Sequence, residues 1–409
     1  MRMFATLIPL FDENMAVKAF SLFSQKENFL LNPHMLGTGA YSGVGTINGL
    51  EVIENTGIET LSKDADIFVP VNNASIFADI EDQCKAPAKR IVILMDNTVR
   101  PETEYLRRID ELKKKGYRFA IRKLLVADFE AYRDIIGKLD FILLDHKRID
   151  ISKAKIYFTK LFPNVKLCAI NIETQEIFNE LKAQGGYTYY EGEFYRIPIT
   201  AGVTEVAPVK MTYIELMNVV NAPDFDLTKA ADVIGRDTAL VVSLLKMVNR
   251  MSVNSEITSI RHAAAMLGQK ELKRWINTAV ANKLCEDSPG EVTRLSLIRA
   301  KFAENLAPLF DQAGQAQELF LMGLFSILDV VLNKSMEEAL KIVHISKAIE
   351  KALVKGEGDF GEVLRFMRAY EDANWTEVSR VMVLKNIDMN ATYAAYLDAL
   401  KWYKTIYAS

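Results

Sequence analysis

The chain has 409 residues, half of them apolar and a quarter charged, which is enough for more than one hydrophobic core and too apolar for a disordered scaffold. Fifty basic and 53 acidic residues leave a net charge of −3, so a chain built to grip a nucleic-acid backbone is not expected. Cys84, Cys168 and Cys285 are far apart and form no CxxC, which argues against disulfides or a thiolate zinc site and fits a reducing, cytoplasmic compartment.

The opening MRMFATLIPLFDE carries an apolar run too short for a signal peptide, and no segment reaches the ~20 apolar residues of a membrane span. Short apolar runs then predict strands at Phe4–Pro9, Ile67–Val71, Ile91–Met95, Arg118–Ile121, Phe141–Asp145, Val165–Ile170 and Tyr187–Tyr190. Between them, helical spacing predicts helices over Ser75–Cys84, Glu102–Lys115, Val126–Lys138, Ser152–Phe162 and Thr174–Gln184. This alternation implies a parallel sheet, open or closed into a barrel. Gly37–Gly45 is glycine-rich but fits neither phosphate-loop spacing and is read as turns. The pattern changes after Gly202: Ile199–Pro208 reads as a linker, and from Thr212 onward apolar residues recur at helical spacing, predicting an all-α domain of roughly ten helices. The apolar stretch Glu318–Leu332, interrupted by Asp329, reads as a buried helix.

Little of the chemistry is legible from residue types alone. His34, His146, His262 and His344 are scattered, with no His-Asp pair, and are read as core or surface histidines. Glu337–Glu338 and Glu371–Asp372 are read as solvated helix faces. The dense cluster Tyr187, Tyr189, Tyr190, Phe194 and Tyr195 is expected to pack the sheet wall rather than line a ligand pocket.

Five motifs, in order, give the first 200 residues a resemblance to the EAL domain, the barrel that hydrolyses cyclic di-GMP. They are Ile8-Pro9-Leu10-Phe11-Asp12, the stretch Gly116-Tyr117-Arg118-Phe119-Ala120-Ile121, Phe141-Ile142-Leu143-Leu144-Asp145, Ala169-Ile170-Asn171-Ile172-Glu173-Thr174, and Glu191-Gly192-Glu193-Phe194-Tyr195-Arg196-Ile197-Pro198. The resemblance implies two divalent ions held by carboxylates and an Asn at the strand ends. At the matching positions, the glutamate of the family's name becomes Ser21, the following Arg falls near Gln25, the Asn near Pro70, and the next Glu near Leu94. The paired aspartates become Arg122-Lys123, the following Lys becomes Leu143, and a Glu becomes Ile170; Asp145 and Glu173 survive. A divalent ion ~4 Å from one such cation meets a repulsion of roughly 8 kcal/mol at an effective dielectric of 20. Arg122 and Lys123 have the chemistry to hold an anionic phosphate, but salt bridges or a solvent-facing position are the preferred expectation for them.

Met211–Leu284 resembles the HDOD domain, an all-α relative of metal-dependent HD phosphohydrolases. The matching residues are Asn221-Ala222-Pro223-Asp224, Val233–Leu240 with Asp237, Leu244–Arg250 with Asn249, and Ile260–Gly268. The expected architecture is therefore α/β plus all-α: a TIM-like (β/α) barrel of EAL type over 1–200, then a helical HDOD domain over 201–409. The functional expectation is a bacterial signalling or scaffold protein that is not an enzyme, uses no cofactor or metal, and acts through signalling-protein partners. The alternative is a receptor for cyclic di-GMP or another cyclic nucleotide; residual phosphodiesterase activity ranks last. Candidate ligand residues are Arg122, Lys123, Asp145, Glu173 and Glu191. Asp237 and Asn249 are the HDOD motif residues, with helix capping and packing preferred over ligand contact. A homodimer is a family-level expectation.

Overall fold

The structure, a computed structural model, describes residues 3–26, 46–198, 206–251 and 257–407. The glycine-rich stretch 37–45, His34 and most of the 199–208 linker lie outside the described residues.

Eight strands close into a barrel in chain order. They are β1 (Phe4–Phe11), β2 (Val17–Gln25), β3 (Asp66–Pro70), β4 (Ile91–Met95), β5 (Arg118–Ile121), β6 (Phe141–Asp145), β7 (Lys166–Ile172) and β8 (Tyr189–Gly192). From β2 to β8 neighbours run parallel, while β1 is antiparallel to both β2 and β8. The runs are short and apolar on both faces because both are covered: alternate residues fill the barrel and the others meet outer helices. Ala19, Val92, Leu94, Ala120, Leu143 and Ile170 belong to the interior set, with Tyr189 packed against it. Where Gly192 passes β7, a Cβ would lie 2.1 Å from the Ile172 carbonyl oxygen, so only glycine fits the crossing.

Sequence and structure differ in places. Strand β2 is absent from the expected set, because Val17–Gln25 mixes both periods. The expected helix 75–84 is a single 3₁₀ turn followed by Ile80–Gln83. Arg108 takes the carbonyls of Ile76 and Ala78 that a continuous helix would use. Likewise 126–138 breaks into a 3₁₀ turn and Arg133–Ile136, where the Asp128 carboxylate accepts the Leu125 N–H.

The chain forms two compact units. One comprises Met1–Ile197, Asn305–Gly314 and Arg365–Ser409; the other comprises Pro198–Glu304 and Gln315–Leu364. This is not a single cut near residue 200, since two late helical segments belong with the barrel. The reason lies on β1. It meets β8 in register at Phe11 and Tyr190. Toward its other end, the Ala5 N–H donates to the Tyr370 hydroxyl at 3.3 Å, and Phe4 stacks on Trp375 with ring centres 5.3 Å apart. The helix Met389–Tyr407 packs on β1 and on the helix Ile58–Ser62. Asn305 donates to the Ala395 carbonyl at 2.9 Å, and Phe310 packs edge-on against Phe366, which brings 305–314 along. Arg196, just past β8, ion-pairs with Glu371 at 3.6 Å and Asp372 at 2.5 Å. Glu371 and Asp372 are therefore ion-pair partners and not simply a solvated face; helix periodicity shows which face is apolar but not what will cover it.

In the helical unit, Pro208–Asn221, Leu227–Ile234, Thr238–Met251 and Ile260–Leu284 pack on one another. The last kinks at Gly268, where φ is 72°. The apolar stretch after Glu318 forms the buried helices Ala316–Phe325 and Leu328–Leu332. Among the described residues, no helix is long and apolar enough to cross a membrane.

Candidate functional site at the barrel mouth

Strand alternation builds the site. Counting by twos from the interior residues Ala19, Leu94, Ala120, Leu143 and Tyr189 reaches Ser21, Asp96, Arg122, Asp145 and Glu191 at the C-terminal ends of the parallel strands. In a barrel of this kind that end carries the functional side chains.

Glu191 is the centre of the group. It is 6% exposed, and the Ser21 hydroxyl, itself fully buried, donates to its Oε2 at 3.2 Å. Burial pushes the Glu191 carboxyl above the usual carboxylate range. The Arg122 charge and the Ser21 hydrogen bond pull it back, and Asp145 adds to the rise. The Arg122 guanidinium lies 5.0 Å over the Phe23 ring, and its Nε is buried with no hydrogen-bond partner among the described residues. Asp145 accepts the Lys147 N–H at 3.0 Å.

The neighbouring positions separate from this group. Lys123, with φ 66°, is half-exposed and reaches Asp96 at 3.3 Å. Burial raises Asp96, but the Thr98 hydroxyl and N–H together with Lys123 outweigh it and hold the carboxyl below its ordinary value. Glu173 pairs with Lys147 at 2.5 Å in an exposed position, and that hydrogen bond holds its carboxyl low. Ser21, Arg122, Asp145 and Glu191 are thus brought together, while Lys123 and Glu173 stand at the rim in ion pairs of their own. The sequence motifs do not single out Asp96, although one residue past β4 it continues the alternation of Val92 and Leu94. The tyrosines pack the wall: Tyr189 stacks on Phe141 at 5.6 Å, Phe194 on Phe178 at 4.6 Å, and Tyr190 is buried. His146 contacts the Asn171 carbonyl through Nε2 at 2.7 Å.

In the helical unit, Asp237 accepts the N–H groups of Ala239 and Leu240 at 2.8 and 3.0 Å and the Tyr213 hydroxyl at 2.6 Å, capping the helix that follows. Asn249 clamps Ile257, accepting its N–H at 2.6 Å and donating to its carbonyl at 2.9 Å.

The EAL resemblance implies two divalent ions, and the donors at the mouth do not fit them. Hard ions need several oxygen ligands. Here Glu191 and Asp145 share the layer with a guanidinium, and Asp96 is taken up by Thr98 and Lys123. Among the described residues, no three His, Cys, Asp or Glu side chains converge as a metal-holding group.

The model of the HDOD domain matches residues 206–360, so the closed barrel with its EAL-type motifs is followed by an HDOD domain. A cyclic di-GMP phosphodiesterase, CdgJ of Vibrio cholerae serotype O1, is 25% identical over 325 residues, 78% of this chain and 74% of that protein. The uncharacterized protein YuxH of Bacillus subtilis is 26% identical over 416 residues, 98% of each chain. The solved EAL domain protein of Listeria monocytogenes superposes on 47% of this chain and 87% of its own, with 12% identity and a TM-score of 0.36. These relatives correct one expectation. Sequence reading set phosphodiesterase chemistry aside, yet a relative aligned over three quarters of the chain bears that activity in its name, so the statement that this protein is not an enzyme does not stand.

Proposed function

We propose that this chain is a cyclic di-GMP signalling protein whose barrel mouth binds the dinucleotide through Arg122, and whose output runs through protein contacts. One observation carries the binding reading: a guanidinium stands in the layer at the C-terminal strand ends, with its Nε buried and unpartnered among the described residues. A planar fork of donors matches phosphate oxygens, and a desolvated donor without an acceptor gains most when one arrives. The neighbouring Glu191 feels the Arg122 charge, which draws its carboxyl down against the rise that burial imposes. The named relative and the five barrel motifs point to the same ligand.

Calorimetric titration of the full chain with cyclic di-GMP, with and without Mg²⁺ and followed by chromatography of the ligand, tests this. The expected result is saturable binding that Arg122→Gln weakens at least tenfold. Absence of binding, or equal affinity in the variant, overturns the assignment. Linear product that disappears with EDTA and with Asp145→Asn adds turnover to binding.

Output through protein contacts is favoured by Val242, Met251 and Met266, apolar side chains 45%, 60% and 45% exposed on helices of the HDOD domain. Cross-linking of a purified partner that is unchanged by Val242→Glu plus Met266→Glu removes this part.

A further inference from the structure

The HDOD domain holds a cavity of about 350 Å³ with a one-sided charge arrangement. Lys270, Lys273 and Arg274 fall at i, i+3 and i+4 on the helix Ile260–Leu284, which places them on one face, and all three line the cavity. The cavity's two carboxylates are already engaged. Glu304 pairs with Arg274 and with Lys301, and Glu318 accepts the Ser346 hydroxyl at 2.6 Å. Among the described residues, neither Lys270 nor Lys273 has a carboxylate within ion-pair distance. The Lys273 ammonium instead lies 4.8 Å over the Phe225 ring, and desolvation lowers its pKa. Apolar side chains, Phe320 and Leu321 among them, supply much of the rest of the wall.

We propose that this cavity is a binding site for a phosphate monoester of nucleoside-monophosphate size, with its phosphate between Lys270 and Lys273 and its organic body against Phe320 and Leu321. The Lys273 ammonium is partly desolvated with no carboxylate beside it among the described residues, and a doubly charged phosphate supplies that missing counter-charge. The apolar wall makes an organic phosphate a better occupant than the bare ion. A volume at the low end of small-molecule sites, which span roughly 300–1,000 Å³, suits a mononucleotide rather than a dinucleotide. The site is separate from the barrel mouth and does not depend on the reading given there.

The test is titration of the full-length protein with 5′-AMP and 5′-GMP, and in parallel with adenosine, guanosine and inorganic phosphate. The expected result is saturable binding of at least one monophosphate. Its nucleoside and free phosphate bind at least tenfold more weakly, and Lys270→Gln plus Lys273→Gln costs a further tenfold or more. Both lysines reach solvent, so the double variant keeps the fold, which an unchanged circular dichroism spectrum and melting temperature verify. No monophosphate binding at millimolar concentration, equal affinity for the nucleoside, or binding untouched by the double variant each overturns the proposal.

Discussion

Replacing Glu191 by Gln isolates the cost of a charge inside the barrel mouth. The amide keeps the side chain's shape and an oxygen to accept the Ser21 hydroxyl, but it cannot ionise. In the folded protein burial raises the Glu191 pKa, and Arg122 and Ser21 only partly offset this. Between the ordinary glutamate value and that raised value, the folded state holds a proton that the unfolded chain has released. Stability therefore falls as pH rises through this window, at up to about 1.4 kcal/mol per pH unit for one proton, and levels off above the folded pKa. The contribution is a penalty present at high pH and absent at low pH, the reverse of a salt-bridged surface carboxylate. Urea unfolding of the parent and Glu191→Gln from pH 4.5 to 8 measures it. The chain's three tryptophans are Trp275, Trp375 and Trp402. In a Trp275→Phe background the remaining two both report on the barrel unit. The parent-minus-variant stability should decline with pH and then flatten, the total drop giving the shift at about 1.4 kcal/mol per unit. A flat difference refutes the reasoning. A difference that rises with pH shows that Arg122 stabilises the carboxylate by more than burial penalises it.

Two further substitutions probe how the barrel closes. Tyr370→Phe keeps the ring between Phe4 and Trp375 but removes the acceptor of the Ala5 N–H. That leaves a buried donor unpaired at a cost of about 2 kcal/mol. Hydrogen exchange at Ala5 should accelerate by roughly 30-fold, and protection within a factor of three of the parent contradicts the contact. Gly192→Ala places a methyl group against the Ile172 backbone, which cannot swing aside as a side chain would, so a loss of about 3 kcal/mol or more is expected in the barrel unit. A loss below about 1 kcal/mol means that β7 and β8 separate more easily than their crossing implies.

The barrel was legible where a strand is short, apolar and covered on both faces. The runs Ile91–Met95, Arg118–Ile121 and Phe141–Asp145 coincide with β4, β5 and β6 residue for residue. Strand β2 was not legible, because Ala19-Phe20 and Leu22-Phe23 satisfy neither period cleanly. The mouth was half legible. Motif order located Arg122, Asp145 and Glu191, and alternation along β4 was enough to find Asp96. Glu173 turns to Lys147 at the rim while Glu191 is buried against Ser21. Once the interior face is known, the count explains this: Glu191 lies two residues past Tyr189, in phase with the interior, and Glu173 lies three past Ile170, out of phase. The cavity of the HDOD domain had a readable signal, three cations at i, i+3 and i+4 starting at Lys270, but such a set reads as a solvated face until the opposing wall is known. The joining of residues 365–409 to β1 left no trace in local sequence, since a contact spanning 365 positions has no periodicity.

That last contact also sets an order for synthesis. Strand β1 is made before the other strands of the barrel, yet the hydroxyl that accepts its Ala5 N–H arrives 365 residues later, after the HDOD domain has left the ribosome. At about 5–20 residues per second, β1 waits roughly 20–70 seconds with that edge uncovered. A stop codon anywhere between the end of β8 and Tyr370 yields a barrel with all eight strands and an unsealed flank, the kind of edge that recruits another chain. Expression trials that cut the chain at residue 200 should therefore give aggregated barrel, and trials that splice 365–409 behind a short linker should recover it.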